Sequence, residues 1–426
     1  METFELLPGV RLRCFRDDRF KHGCLSIQFL RRMTAEETPY NALLPAVLLR
    51  GTARHPDLLA IHRTLENLYG AEVRPLVRRI GDLQATGLYC SLLDDRFALP
   101  GEQVLEPVLE FLGELLLQPR ICGDGFDAQY VEGEKQNLIA AIDAELNDKQ
   151  AWAARGLLKQ MCRGDSFGLP LWGEREDVGG VTAEGLYRHY REVLRTSPVE
   201  VFYVGSAQPE RLRTLLLPIF AGMERVPESL PAQTDLVTGT PEDRVEYMEV
   251  TQGQLCLGCT TPITNRSPEF AAMQVLNTVL GGGMYSKLFR TVREEQSLCY
   301  SVHSSYYGIK GIVLISVGID FRMEREARWG ILAQLTACQN GEITEQELSA
   351  AKKALISSLR ATHDSPGAVE GYYTTALLGG LGMTPEDYIR AVEAVTVADA
   401  VAAAKTVELH SSYFVRGKEY TLECLK

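Results

Sequence analysis

No run of Lys or Arg in this sequence is longer than a pair, and acidic residues outnumber basic ones by 56 to 44. Nucleic acid and anionic membrane surfaces are poor partners for such a chain, because both need a concentrated positive field. No apolar run approaches the ~18–20 residues that a helix needs to cross a bilayer. Met1 is followed by ETFELLPGV, with neither a basic nor an apolar segment, so no signal peptide is expected and the chain should be cytoplasmic. Histidine is scarce: none of the seven stands three or four residues from another, so HxxH, HxxxH and HxxEH are absent. A second CxxC is also missing. Cys256-Leu-Gly-Cys259 stands alone in a strand-like apolar run whose alternation points the two sulfurs to opposite faces, and structural thiols are expected.

What is present is ordinary globular material, with 45% hydrophobic and 23% charged residues over a length of 426. That length implies two to four domains. Strand-like alternation marks Val10–Cys14 and Cys24–Phe29, then residues 72–79 and 83–92. Helical spacing follows at 104–118, 126–148, 152–162 and 183–194, with a strand at Val199–Val204. Residues 226–243, VPESLPAQTDLVTGTPED, are rich in proline and small polar residues and read as a linker. The plan then repeats: a strand at Val245–Cys259, a helix at 268–280, strands at Cys299–Tyr307 and Gly311–Ile319, and further helices. The ends of the halves also match, Val181–Gly205 against Val395–Gly417. The reading is an α+β chain of two like halves, 1–225 and 244–426.

The most informative stretch is Leu280–Ser301, LGGGMYSKLFRTVREEQSLCYS. Gly281, Gly282 and Gly283 end one helix and open another, being able to take positive φ and admit close backbones. No Gly-Lys-Ser/Thr follows, so this is no phosphate loop. The pattern LGGGxxSxLFxxxRExxxLxYSV over Leu280–Val302 resembles the C-terminal half-domain of the pitrilysin/insulinase family, the inverzincin zinc peptidases. The resemblance implies two homologous half-domains, each an antiparallel-rich sheet with helices on one side, facing each other as a clamshell. It also implies that Arg293 and Tyr300 contact substrate. Without it, Arg293 is a solvated helix residue and Tyr300 a core one.

The zinc site of that family is missing its chemistry. Counting back from Gly51-Thr52, the H-x-x-E-H positions read Ala42-Leu-Leu-Pro45-Ala46, with alanine at both ligand positions and proline at the general base. The later helix keeps Glu134 but has Ala141 at the third ligand. Proline costs ~3 kcal/mol inside a helix, so the local helix is expected to start near Pro45. His62 and Glu66, with His55 nearby, give two potential ligands and no tetrahedral site; an i,i+4 surface pair is the plainer reading. Glu132 and Asp143, and likewise Glu134 and Glu145, lie ~16 Å apart along one helix, too far for joint acid–base work. No metal is expected in this chain.

The resemblance therefore implies an inactive-type bacterial subunit. It would form the chamber wall and bind peptide while a paralogous HxxEH-bearing partner supplies the zinc. A silent scaffold or peptide-binding protein of the same fold, with no peptidase partner, is the alternative; a homodimer is an expected form of the chain purified alone. Leu65–Ala71, Tyr372-Tyr373 and Met383–Ile389 are similar to a subgroup associated with 5-aminopentanol modification of elongation factor P; related pairs mature small peptides.

Overall fold

A computed structural model describes residues 1–230, 237 and 239–417. Two compact units emerge, and neither is continuous in sequence. The first contains Met1–Asp143, Leu169–Gln233 and His363–Thr375; the second contains Ala144–Gly168, Thr234–Thr362 and Ala376–Lys426.

The first unit holds β1 (Glu2–Leu7), β2 (Val10–Arg16), β3 (His22–Arg32), β4 (Glu72–Ile80), β5 (Leu83–Leu93), the two-residue strands β6 (Ile121–Cys122) and β7 (Gly125–Phe126), and β8 (Val199–Gly205). Its main sheet runs β1-β2-β8-β3-β5-β4, antiparallel throughout except for the β2–β8 pair. The second unit holds β9 (Asp243–Met248), β10 (Gly253–Thr260), β11 (Ser301–Tyr307), β12 (Ile312–Ile319) and β13 (Glu408–Gly417), in the order β11-β12-β10-β13-β9. Only its β13–β9 pair is parallel. Without β1, the two sheets have the same order and the same single parallel pair. Such agreement is the structural form of the repeat in the sequence, and the fold is α+β with antiparallel-rich sheets.

Alternation along β3 decides how each face is used. Leu25, Ile27 and Phe29 enter a core with Leu88, Cys90 and Val201, closed by helices Thr38–Leu48, Leu105–Leu117 and Ala183–Thr196. Ser26 and Gln28 point to the other face, where the segment His363–Thr375 lies. The second sheet repeats the arrangement with roles exchanged. Cys256, Leu314, Tyr413 and Val415 pack with Ala153, Leu157 and Met161 of the helix Lys149–Met161, which comes from the first half of the sequence. Each unit thus takes one helical segment from the other half of the chain.

Several local expectations change. The single strand expected at 245–259 is two strands, β9 and β10, with β13 between them in the sheet. Strand β1 and the helix Pro209–Ala221 lay outside the expected elements. The strand expected from Cys299 starts at Ser301, although the Tyr300 N–H already donates to Gly318 O at 2.8 Å. Cys256 and Cys259 are both buried with thiols pushed up to about 12 by burial. Of the stretch 226–243, residues 231–236 and 238 lie outside the described residues. Flanking them, the Val226 N–H donates to Arg195 O at 2.9 Å and the Gly239 N–H to Met161 O at 2.7 Å. No described helix is long and apolar enough to cross a membrane.

Candidate functional site

Ala42, Pro45 and Ala46 share one face of the helix Thr38–Leu48, which contains Pro45 rather than starting at it. This corrects the expected start. The helix begins instead with Pro39 in its first turn, where a missing N–H costs nothing. Pro45 cannot donate to the carbonyl of Asn41, and that carbonyl receives the Thr86 hydroxyl from β5 at 2.7 Å. The interruption is tolerated because a neighbouring strand supplies the lost donor.

Asn41 is fully buried, and its amide is committed too. The Gln84 side-chain N–H₂ donates to the carbonyls of Leu171 at 2.8 Å and Thr38 at 3.3 Å, groups that can only accept. Gln84 Oε1 must then accept from Asn41 Nδ2 at 3.0 Å, which leaves Asn41 Oδ1 as acceptor for His189 Nε2 at 2.7 Å. The His189 Nε2–H is therefore the donor, and burial pushes the ring's pKa down to about 4. None of Asn41, Gln84, Thr86 and His189 was singled out from the sequence; only their polar character within apolar runs hints at a buried network.

The second element of the degenerate site is the helix Ala128–Glu145, with Ala141 half-buried. The Glu134 carboxylate lies 3.3 Å from Arg50, just beyond the Pro45 helix, and Arg50 also stacks over Tyr130 at 5.4 Å. The retained glutamate is thus a structural ion-pair partner. Glu132, Asp143 and Glu145 are each taken by a separate cation: Lys135 at 3.1 Å, Arg175 at 3.1 Å and Arg155 at 2.6 Å. His62 and Glu66 are exposed, whereas His55 Nδ1 lies 2.7 Å from Glu114, which also accepts from Thr52. That contact fixes the Gly51-Thr52 turn, where an added Cβ on Gly51 would come within 2.6 Å of Pro56 O. Methyl groups and a proline ring offer zinc no lone pair, so the residues present do not fit the metal. Among the described residues, no group of three or more His, Cys, Asp or Glu side chains is gathered for one.

One short run passed over in the sequence is Gly164-Asp-Ser-Phe-Gly168, which has G-x-S-x-G spacing. A nucleophile elbow needs a strand leading into a helix. Here the run follows the helix Lys149–Met161, Ser166 is buried in a short 3₁₀ turn, and Asp165 pairs with the buried Lys310 at 3.0 Å. It serves packing.

In the second unit, the helix Phe270–Gly281 runs into the glycine loop. None of Gly281, Gly282 and Gly283 has positive φ, and at Gly281 and Gly282 the reason for glycine is space. An added Cβ on Gly281 would meet the Ser304 backbone N at 2.7 Å, and one on Gly282 would meet Thr278 Cα at 2.6 Å, while Gly283 is open. The following segment, Leu288–Glu295, is π-helical rather than α-helical, anchored by buried Leu288 and Val292. Arg293 is exposed, with its guanidinium 4.5 Å from the Phe289 ring centroid. Ser297 then turns the chain with a φ of +52°, flanked by the Gln296 N–H donating to Thr291 O at 2.9 Å and the Leu298 N–H to Val292 O at 3.0 Å. Tyr300 emerges 56% exposed. The expectation of a core tyrosine, made without the resemblance, does not hold.

The family described as Peptidase M16 inactive domain matches residues 180–355. A "Probable inactive metalloprotease YmfF" of Bacillus subtilis is 28% identical over 411 residues, covering 96% of each chain. The crystal structure of a conserved protein from Enterococcus faecalis V583 superposes with a TM-score of 0.91 at 26% identity, covering 98% of each chain. That of a peptidase M16 inactive domain from Pseudomonas fluorescens gives 0.80 at 18% identity, again over 98% of each. The fold is that of M16-like peptidases. The chain is similar over nearly its whole length to inactive-type, peptidase-like proteins of the M16 family.

Proposed function

We propose that this chain is the non-catalytic subunit of a heteromeric zinc peptidase. It forms the chamber wall and binds the peptide substrate, and a paralogous HxxEH-bearing chain supplies the zinc and the general base. One observation carries the reading: Ala42, Pro45, Ala46 and Ala141 contain no donor for a metal, yet the second-half motif holds Arg293 and Tyr300 exposed on a braced scaffold. In the assembled pair, Arg293 and Tyr300 would donate hydrogen bonds to bound peptide, strengthened by exclusion of water. The pair would work in the cytoplasm, on small peptides or on the route to elongation factor P modification.

The test is affinity purification of the tagged chain from its native host, with mass spectrometry of what co-elutes. A near-equimolar chain of similar length bearing HxxEH is expected. Elution alone, as monomer or homodimer, would favour the scaffold or peptide-receptor reading instead.

A further inference from the structure

A cavity of about 400 Å³ opens in the first unit where β2 and β8, the parallel pair of its sheet, reach their carboxyl ends. Arg16 ends β2, and β8 leads through Ser206 and Ala207 into the helix Pro209–Ala221. Leu92, Leu93 and Leu105 give the cavity an apolar wall, and Tyr203, Arg16 and Arg211 bring polar groups to it. None of Ala42, Pro45, Ala46, Ala141, Arg293 and Tyr300 lines it. Its size suits a small molecule.

Tyr203 supplies the observation that points to a ligand. The residue is only 4% exposed, and its hydroxyl oxygen accepts from the Ala207 N–H at 3.1 Å. Among the described residues, nothing accepts the hydroxyl's own proton. The oxygen lies beside residues that line the cavity: besides Ala207, a Cβ added to Gly23 would stand 3.6 Å from it. Burial pushes the Tyr203 pKa up, so the hydroxyl keeps its proton. A buried O–H without an acceptor costs free energy that an entering acceptor recovers.

The two buried carboxylates of the lining are already committed. Asp94 accepts from the Arg96 backbone N–H and Nε, each at 2.9 Å, and from Ser206. Asp95 accepts from the N–H groups of Val104 and Leu105 at 2.7 and 2.9 Å and from Arg211 at 2.7 Å. Burial opposes ionisation of both, and these contacts outweigh it, holding both carboxyls below their ordinary value. The arginines are less fully used. Arg16 meets Asp18 only at 3.4 Å, and Arg211 has N–H groups left after Asp95 and Gln103. The helices Leu105–Leu117 and Pro209–Ala221 both begin at the cavity, and their N-termini add positive potential. The surplus is of donors and positive potential.

We infer that this cavity binds a small carboxylic acid with an apolar body. The carboxylate accepts the Tyr203 proton as a hydrogen bond, Arg16 and Arg211 offset its charge, and the leucine wall covers the body. A hydrogen bond to a charged acceptor in a site shielded from water is about twice as strong as one between neutral groups, which favours the acid over its amide. The inference stands apart from any peptidase partner, because every group it uses belongs to the first unit.

The experiment is saturation-transfer NMR titration of the intact purified chain with three probes: phenylacetate, its neutral counterpart phenylacetamide, and acetate, which has the charge without the body. Phenylacetate is expected to bind about tenfold more tightly than either of the others. Tyr203→Phe, which keeps the ring and removes the donor, should weaken phenylacetate about tenfold. Arg16→Gln should weaken it roughly threefold, as befits a part-exposed charge. Ala207→Leu, which fills the cavity, should abolish binding. Arg16→Gln and Ala207→Leu carry the test if Tyr203→Phe does not fold. Binding of no probe, meaning a cavity that holds only water, would overturn the inference. So would equal binding of acid and amide, or phenylacetate binding unchanged by Arg16→Gln or Ala207→Leu.

Discussion

The Thr86 hydroxyl donates to the Asn41 carbonyl at 2.7 Å, the acceptor that Pro45 deprives of its helical donor. A strand residue thereby closes a turn of the helix whose Ala42, Pro45 and Ala46 the resemblance matches to H-x-x-E-H. Thr86→Ala should cost about 1–3 kcal/mol, the penalty of an unpaired buried carbonyl. Pro45→Ala returns an N–H to the helix, so in that background the Thr86→Ala penalty should shrink to below about 1 kcal/mol. Urea unfolding of the four-member cycle measures both. An equal penalty in the two backgrounds would mean that Thr86 does not stand in for the missing donor.

His189 makes the same network sensitive to acid. The unfolded side chain takes up a proton below its ordinary 6.5, while burial delays this in the folded protein to about 4. The unfolded state then binds more protons between those values, so stability is full above 6.5 and falls as pH drops toward 4. The whole window is worth about 3 kcal/mol. His189→Gln, which keeps a donor for Asn41, should flatten the stability profile between pH 6.5 and 4; an unchanged slope would show that other groups set it.

Glu370 is fully buried on the segment that the second half of the sequence lends to the first sheet. It accepts from Arg78 at 2.8 and 2.9 Å, from Ser26 at 2.6 Å and from Gln28 at 3.0 Å. Glu370→Ala leaves these donors unpaired and should destabilise by about 3–5 kcal/mol. Its effect should appear first as faster amide exchange in residues 363–375 and β4. Uniform exchange across the protein would argue that Glu370 is no local clasp.

Metal should make no contribution to this chain's stability, since alanine and proline replace every donor of the site. Chelation should leave the melting temperature unchanged within a degree or so, and elemental analysis should find zinc far below one per chain. A drop of several degrees on chelation would mean that donors elsewhere hold a metal.

Much of the architecture was legible because it depends on short-range pattern. The period-2 runs, the linker composition and the matching ends of the halves predicted a duplicated α+β chain, and both sheets repeat one strand order. The single strand expected at 245–259 concealed a break at 249–252, because β9 and β10 are both strand-like and lie on either side of β13 in the sheet.

That the side chains of Ala42, Pro45, Ala46 and Ala141 cannot ligate zinc follows from sequence alone, as does the Leu280–Ser301 motif, since a side chain either carries a lone pair or does not. Where the remaining polar residues find partners was decided only by tertiary structure. Thr86 lies 45 residues from Asn41, His189 lies 148 from Asn41, and Glu370 lies 344 from Ser26. Periodicity reports which face a residue occupies, never which distant segment covers that face. Burial makes those pairings obligatory, and the chain's path makes them possible.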